Sequence, residues 1–330
     1  YQASICTILH HARVASTLCV STFGWSMYTL TLQLYASGEW SDAMTLKFSE
    51  PSKGFESPCR LGYITDYVSN NLEDIDSPFS KAVSARLPLV WDNASLKKAP
   101  AFLFDIAPAG AAKRFLMGRV GQDKPDGISS DLFLLAHSTP APIGHLRIKE
   151  SAELADGRPA VGFPREEVIA RDNTFLEYAY EQGAAIGGAT GAGGEAPKLL
   201  MSQGRDGLLY PDAVLNDEQV ARHWFIKFAR NRATLTDQII LKSEFHYYKA
   251  LHSLGIETIA QDGLALEEAT KPSLWMKRFD REVSKHGVER FAVESIYSLA
   301  GVTVPGSYMN HLEVIQLLAR LWIQAGQIDQ

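Results

Sequence analysis

The sequence predicts an α+β protein in which short antiparallel strands and amphipathic helices are combined. Apolar and polar side chains alternate over Tyr28–Leu34, with the period of two that a half-buried strand requires. A second pair of apolar runs within 198–210 predicts a hairpin around the turn Asp206-Gly207. By contrast, apolar residues recur every three or four positions over Asp237–Leu254, which predicts a helix that ends before Gly255.

The composition is that of an ordinary folded protein. Of its 330 residues, 46% are hydrophobic and 21% are charged, and the net charge is −6. No run approaches the roughly 20 apolar residues of a membrane-spanning helix, and the three cysteines form neither a CxxC pair nor a zinc spacing. We therefore expect a cytoplasmic protein of about two domains. Because the chain is acidic, we expect no direct contact with nucleic acid and none with a membrane.

The amino-terminal part of the sequence divides into an extension and a β-rich subdomain. Residues 1–26 carry one full charge, Arg13, and no regular apolar period, so we expect them to lie outside the fold. Residues 27–150 contain the alternating strand, a returning strand at 43–48 and further short apolar segments separated by Pro, Gly and Ser. A helical period at 99–120 completes this subdomain.

The carboxyl-terminal part follows a candidate linker at 151–162, which contains few apolar residues. Residues 163–285 combine the predicted hairpin, a strongly apolar strand and the long helix, and we expect them to form one unit. Residues 286–330 predict two closing helices, at about 288–299 and 309–325.

A glycine-rich segment, Gly183–Pro197, precedes the hairpin and contains six glycines. Glycine adopts positive φ easily and can present backbone N–H groups to a phosphate, although a loop without a ligand has the same composition. Residues 191–196 fit the pattern G-x-G-x-x-A of dinucleotide-binding proteins, but that motif must follow a strand and open a helix. Here it follows a predicted helix and opens a hairpin, so a dinucleotide-binding oxidoreductase is the weaker alternative.

A lysine, Lys227, lies within the strongly apolar strand Trp224–Phe228. Burying a lysine is costly unless its charge meets an anion; the alternative is that Lys227 faces solvent while its apolar neighbours face the core. The order of glycine-rich loop, hairpin, strand lysine and helix with Glu244 is that of a kinase small lobe, in which the lysine holds ATP phosphates. Glu244 by itself is equally consistent with an exposed acid on a helix surface.

The strand that follows the long helix ends in Arg278-Phe279-Asp280-Arg281. This is the position at which a kinase hinge presents backbone groups to adenine. The alternative is an ordinary exposed strand end with local ion pairs, each worth about 0–1 kcal/mol.

Several segments together have the order and spacing of one known kinase family. They are Leu87–Leu89, Phe102–Pro108, Ile143–Leu146, Gly193–Lys198, Phe225–Phe228, Glu244–Leu254 and Arg278–Arg281. The sequence from about 27 to 318 resembles the HipA-like serine/threonine kinases, the toxin components of bacterial toxin–antitoxin pairs and their stand-alone relatives. The glycine pair in the loop resembles a divergent branch of that family.

This resemblance implies a kinase-like small lobe (an antiparallel sheet plus a helix), a β-rich amino-terminal subdomain and the start of a helical large lobe. It implies ATP and Mg²⁺ as cofactors, a protein hydroxyl as phosphate acceptor and an antitoxin partner. The loop and Lys198 would lie over the phosphates, Lys227 would bind them, and the backbone near Arg278 would meet adenine. The implied ATP-binding residues are Gly191, Gly193, Gly194, Lys198, Lys227, Glu244, Lys277, Arg278 and Phe279.

The sequence also departs from the family pattern. Lys277 stands where relatives more often have an acid, and Thr190 lies near the place of a regulatory serine. The catalytic Asp and the metal-binding Asn and Asp are not found after Gly301, and Asn310 is expected to cap a helix. We therefore expect a kinase interrupted at Gln330, able to bind nucleotide but not to transfer phosphate; a degenerate nucleotide-binding or scaffold module is the alternative.

Overall fold

The computed structural model describes residues 27–157, 159–170, 198–229, 233–269, 271–285, 287–304 and 306–326. The expectations for residues 1–26 and for the glycine-rich segment fall outside these ranges. The predicted α+β class is confirmed. The strands are β1 (Tyr28–Ala36), β2 (Glu39–Phe48), β3 (Cys59–Tyr63), β4 (Ala94–Leu96), β5 (Leu146–Ile148), β6 (Lys198–Gly204), β7 (Leu209–Pro211), β8 (Val220–Phe228), β9 (Ala265–Glu267), β10 (Ser273–Lys277), β11 (Arg281–Ser284) and β12 (Gly287–Arg290).

The helices differ widely in length. They are α1 (Thr65–Ser69), α2 (Leu103–Ile106), α3 (Gly110–Val120), α4 (Ser130–His137), α5 (Lys149–Ala155), α6 (Arg165–Ala170), α7 (Leu235–Ser253), α8 (Ile296–Ala300) and α9 (His311–Gln324). Among the described residues, no helix combines the length and apolar character needed to cross a membrane.

The amino-terminal sheet has the strand order β4-β3-β2-β1-β5, and every neighbouring pair is antiparallel. Ser37 and Gly38 have φ of 54° and 88°, as the two-residue turn between β1 and β2 requires. This confirms the predicted first hairpin. The buried side chains of β1 and β2 pack with those of α2 and α4 into one apolar core.

The second sheet has the order β7-β6-β8-β10-β9 and is also antiparallel throughout. The antiparallel pairing of β6 with β7 confirms the second predicted hairpin. It contradicts the oxidoreductase alternative, because a dinucleotide-binding unit needs parallel strands joined through a helix. The segment after Gly183–Pro197 begins directly as strand β6.

Helix α7 lies across one face of this sheet. The Thr234 and Asp237 side chains cap each other's backbone at its amino end, so the helix starts at Leu235, two residues before the predicted position. Gly255 has φ of +73° just beyond its end, as expected. The face of the sheet under α7 carries Leu200, Phe225, Leu274 and Met276, which pack with Leu241 of the helix.

Two predictions about the carboxyl-terminal part of the sequence are wrong. Residues 288–299 do not form one helix: Val288 is buried in β12, which pairs with β11 to form a separate hairpin, and α8 covers only Ile296–Ala300. Gly287, with φ of +121°, allows the tight reversal between these strands. The sequence shows no alternation of apolar and polar residues here, because charged residues occupy two of the four positions in each strand.

The second wrong prediction is the start of the candidate linker 151–162, which falls inside helix α5. Residues 151–155 belong to α5, and Ser151 is buried, with its Oγ atom accepting a hydrogen bond from the Thr139 backbone N–H at 2.6 Å. Helix α5 contacts β1 and α4. Its polar outer surface therefore gives it the composition of a linker. At the other end of the chain, Asn310 does cap α9, because its Oδ1 atom accepts from the Leu312 N–H at 2.9 Å.

Candidate nucleotide site

Two lysines lie side by side on neighbouring strands of the second sheet. Lys198 of β6 is directly opposite Lys227 of β8 in the antiparallel register. Directly opposite residues point to the same face of a sheet. That face is the one that α7 covers, since Lys227 alternates with Phe225, which packs under the helix.

Glu244 of α7 supplies the opposite charge. Its Oε1 atom lies 2.5 Å from Nζ of Lys227, and the two side chains are 29% and 21% exposed. The hydroxyl of Tyr248, one helical turn further along, donates a hydrogen bond to the same Oε1 atom at 2.8 Å. The carboxylate is thus fixed from two sides.

The environment of Lys198 is electrostatically unfavourable for a second ammonium. Burial lowers the pKa of Lys198, the charge of Lys227 lowers it further, and Glu244 opposes both effects. Counting only the described residues, two lysines therefore share one carboxylate, which leaves an excess positive charge at this face of the sheet. Such an excess attracts an anion.

The alternative that placed Lys227 toward solvent and its apolar neighbours toward the core is only half correct. Trp224, Ile226 and Phe228 do pack into an apolar core on the opposite face of the sheet, together with residues of α6. Lys227, however, does not face open solvent, because α7 covers its side and places Glu244 against it. The sequence signal for this arrangement is the position of Glu244 within a helix that follows the strand.

The Arg278 side chain belongs to a buried network of charges. Its guanidinium donates to both oxygens of Asp280, at 2.8 and 2.5 Å, to Oδ2 of Asp212 at 2.8 Å, and to the Pro142 carbonyl at 3.0 Å. Arg281 also reaches Oδ2 of Asp212, at 2.5 Å. All four charged side chains are at most 2% exposed, so the alternative of an exposed strand end with surface ion pairs is wrong.

Each acid of this network is held in its charged form. Burial alone would raise the pKa of Asp212, but Arg281, Arg278 and His223 hold it well below its usual range. Burial lowers the pKa of His223, against the effect of Asp212. The neutral imidazole therefore carries its proton on Nδ1 and donates it to Oδ1 of Asp212 at 2.7 Å. Ser202 donates to the same oxygen.

This network joins the second sheet to the amino-terminal subdomain. Besides the Arg278 bond to Pro142, Oδ2 of Asp280 accepts from the Gly144 backbone N–H at 2.8 Å. Pro142 and Gly144 lie just before β5 of the first sheet. The network thus holds the end of β10 at a fixed place relative to that sheet.

The remaining predicted ATP-binding residues have different surroundings. The Arg278 backbone N–H donates to the His223 carbonyl at 3.0 Å, which extends the pairing of β10 with β8 by one residue. Lys277 is partly buried at the end of β10, and Phe279 is 53% exposed. Gly191, Gly193 and Gly194 lie outside the described residues. The structure therefore brings together Lys198, Lys227 and Glu244, and places residues 277–279 at the end of an adjacent strand.

Three residues of these clusters were missed by the sequence analysis. Tyr248 was read only as part of an apolar helix side, although its spacing of four from Glu244 is a usable signal. Asp212 and His223 gave no signal, because the arginine that they meet, Arg278, is more than 50 residues away from both in sequence. Only the fold brings them against Arg278.

Comparisons with known proteins agree with this architecture. Residues 190–329 match the family model of the HipA-like C-terminal domain. No curated protein matches the chain. Among solved structures, one match is a chain of the complex of HipA, HipB and operator DNA from the toxin–antitoxin system of Shewanella oneidensis MR-1, at a TM-score of 0.52 and 15% sequence identity.

That match covers 83% of this chain and 57% of the solved one, so the chain spans little more than half the length of its structural neighbour. At 15% identity, the likeness shows the fold. That complex contains operator DNA. The expectation of no direct contact between this chain and nucleic acid is therefore not supported. The family match and the shared fold agree with the resemblance found in the sequence: residues 190–329 are similar to the HipA-like C-terminal domain, and the fold is similar to that of a HipA chain.

Proposed function

We propose that residues 163–285 bind ATP as the small lobe of a HipA-type protein serine/threonine kinase. The observation that carries this proposal is the ion pair of Lys227 with Glu244 between a central strand and the helix packed over it. In protein kinases a strand lysine held by a helix glutamate binds the α- and β-phosphates. The match to the HipA-like C-terminal domain, at residues 190–329, includes both Lys227 and Glu244.

The described residues fit the triphosphate of ATP. Lys198 and Lys227 share a single carboxylate of the described part of the chain, so these three residues carry a net positive charge for a phosphate. Both lysines lie on the face of the sheet that α7 covers. Lys198 is the first residue of β6, the strand that follows the glycine-rich segment. We therefore assign Lys227 and Lys198 to the phosphates, with Glu244 as the residue that orients Lys227.

The second cofactor that the resemblance implies is Mg²⁺. Within the described ranges, no group of three or more His, Cys, Asp or Glu side chains is arranged to hold a metal ion. We assign Mg²⁺ no protein ligand in this part of the chain and derive no step from it. Transfer of phosphate to a protein hydroxyl, and association with an antitoxin, are proposed from the family resemblance alone.

Titration of the chain with ATP tests the nucleotide site. Wild-type protein and the Lys227→Met variant are compared by isothermal titration calorimetry, with and without Mg²⁺. Methionine keeps the length of the side chain and removes the charge. Loss of a charge-assisted contact to phosphate is expected to weaken binding about tenfold or more.

Lys242→Met is the matched control. Lys242 also lies 2.5 Å from a glutamate, Glu268, but this pair is at the surface of α7, with side chains 37% and 64% exposed. Its loss should leave the affinity for ATP unchanged. Wild-type protein that shows no binding of ATP would overturn the proposal.

The alternative function is a degenerate module that serves as a scaffold for a partner. Under this alternative the lysine pair has no ligand, and an affinity for ATP that Lys227→Met leaves unchanged would favour it. The shared charge environment of Lys198 and Lys227 favours the working nucleotide site.

A further inference from the structure

A second cavity, of about 640 Å³, opens between the amino-terminal sheet and the chain that follows β7. Its walls come from β1, β2 and β5 on one side, and from residues 212–218, β11 and β12 on the other. None of Lys198, Lys227 and Glu244 lines it, so it is separate from the candidate nucleotide site. This volume is within the range of small-molecule sites.

The wall of this cleft contains an arginine with an unused hydrogen-bonding edge. The guanidinium of Arg147 lies over the Trp40 ring, with Cζ 4.0 Å from the ring centroid, and its Nε atom donates to Oε1 of Gln33 at 2.7 Å. Its two terminal nitrogens form no hydrogen bond with any residue that the structure describes. Stacking and the Nε bond hold the guanidinium in place, so its two-nitrogen edge is preorganised for a ligand.

Among the described residues, no carboxylate is in direct contact with the guanidinium of Arg147. Burial lowers the pKa of Arg147 to about 10 and the nearby charge of Arg290 lowers it further, whereas the charges of Asp156, Asp217 and Asp42 oppose the shift without forming an ion pair with Arg147. Arg290 itself is neutralised, because its two terminal nitrogens each lie 2.8 Å from an oxygen of Asp217. A partly buried cation without a paired anion is unfavourable, and an anion bound in the cleft would relieve it.

Both guanidinium groups converge on the same aromatic wall. Arg290 stacks on Tyr35 at 4.3 Å and lies 5.5 Å from the Trp40 ring centroid. Arg281, which also lines the cleft, is buried and has an Nε atom without a hydrogen-bond partner among the described residues. Three arginines thus line the cavity; Arg281 and Arg290 are paired with Asp212 and Asp217, and Arg147 is the one without an ion pair among the described residues.

The rim of the cavity has the opposite charge. Glu153, Asp156 and Glu218 line it and are exposed. Acids at the entrance repel long polyanions but leave room for a small group that reaches the arginine behind them. This arrangement selects for a compact ligand over a nucleic-acid backbone.

We propose that the cleft binds a small oxyanion ligand, whose carboxylate or phosphate group is held by the two terminal nitrogens of Arg147. A planar guanidinium matches two oxygens of either group with parallel hydrogen bonds. The remaining atoms of the ligand lie between Trp40 and the acidic rim, so a ligand that also carries an amine gains from the rim.

Isothermal titration calorimetry with three probes tests this proposal: inorganic phosphate, acetate and phosphoethanolamine. The protein is the full chain carrying Lys227→Met, which removes one of the two candidate phosphate contacts at the nucleotide site; the Arg147 variants below separate binding at the cleft from any that remains at Lys198. We expect saturable one-to-one binding of at least one probe with a Kd of about 1 mM or tighter. If inorganic phosphate binds and acetate does not, the ligand group is a phosphate. If phosphoethanolamine binds more tightly than inorganic phosphate, the acidic rim contributes to the affinity.

Substitutions of Arg147 assign the binding to the cleft. Arg147→Gln is expected to weaken it about tenfold or more, whereas Arg147→Lys keeps the charge, loses the two-nitrogen edge and should have an intermediate effect. Arg60→Gln, at an exposed position on β3 away from the cleft, should have no effect. Circular dichroism checks that each variant is folded, and the Arg147→Lys result stands if Arg147→Gln does not fold.

Either of two results would overturn the proposal: no saturable binding of any probe, or binding that neither Arg147 variant changes. The outcome is independent of the nucleotide site. Loss of ATP binding in Lys227→Met with retained anion binding supports both sites. Anion binding without any ATP binding supports only the cleft.

Discussion

The Nζ atom of Lys227 lies 2.5 Å from Oε1 of Glu244, so one ion pair connects the central strand β8 to helix α7. Both side chains are partly exposed, and such a pair contributes at most about 1 kcal/mol to stability. Its main effect is geometric, since it fixes the direction of the lysine over the face shared with Lys198. The first two predictions follow from this arrangement.

Glu244→Gln should weaken ATP binding and make it more sensitive to alkaline pH. The amide keeps the shape of the side chain but no longer attracts Lys227, and it removes the charge that, within the described part of the chain, raises the pKa of Lys198. Because binding needs charged lysines, it should be lost at a lower pH in this variant than in wild-type protein. Calorimetric titrations of ATP between neutral and alkaline pH measure this shift, with the exposed Glu257→Gln as control. Identical pH profiles would contradict the proposed role.

Tyr248→Phe should have a smaller effect on the same site. It deletes one hydrogen bond to Glu244 and leaves the ion pair in place, so the affinity for ATP should fall by about two- to tenfold. Tyr247→Phe is the control, because this neighbouring side chain is 68% exposed. An equal loss in both tyrosine variants would indicate a general effect on α7 instead of a loss of the bond to Glu244.

Asp212→Asn should destabilise the protein strongly. Asp212 is the shared partner of Arg278 and Arg281, both fully buried, and removing its charge leaves them without compensation at this position. The expected loss in the free energy of unfolding is about 3–5 kcal/mol, measured by urea denaturation. Asp262→Asn breaks an exposed pair with Arg222 and should cost at most about 1 kcal/mol. Similar losses in the two variants would show that the network is not energetically important.

The elements that the sequence predicts correctly are those with a strong local signal. The alternation in β1, the turn at Ser37 and Gly38, and the capped helix α7 all follow from neighbouring residues. The hairpin β11–β12 was missed because its strands have only four residues each, and one apolar residue in each strand gives no visible period. Helix α5 was missed because its polar face resembles a linker.

The candidate site was predictable to the extent that it depends on order along the chain. Lys227 and Glu244 are 17 residues apart, and a strand followed by a helix brings them together. The Arg278 network and the Arg147 cleft depend on contacts between distant segments: Arg278 meets Asp212 across 66 residues, and Arg147 meets Gln33 across 114. No local pattern encodes such pairs, and only the folded chain shows them.

Acidification should destabilise the folded protein below neutral pH through two histidines, the buried His223 and the partly buried His145. Burial lowers the pKa of His145 from 6.5 to about 4, and it also lowers the pKa of His223. The unfolded chain therefore binds protons that the folded chain does not, so stability is full above pH 6.5 and falls as the pH is lowered toward 4. For His145 the expected loss between pH 7 and pH 5 is about 2 kcal/mol.

Urea denaturation at pH 7 and pH 5 measures this effect while most carboxylates remain charged. His145→Gln removes the titrating group, so this variant should lose less stability between the two pH values than the wild-type protein does. His246→Gln is the matched control, because His246 lies exposed on α7 and its removal should leave the pH dependence as it is. A His145→Gln variant with the full wild-type pH dependence would show that the loss comes from other groups, His223 among them.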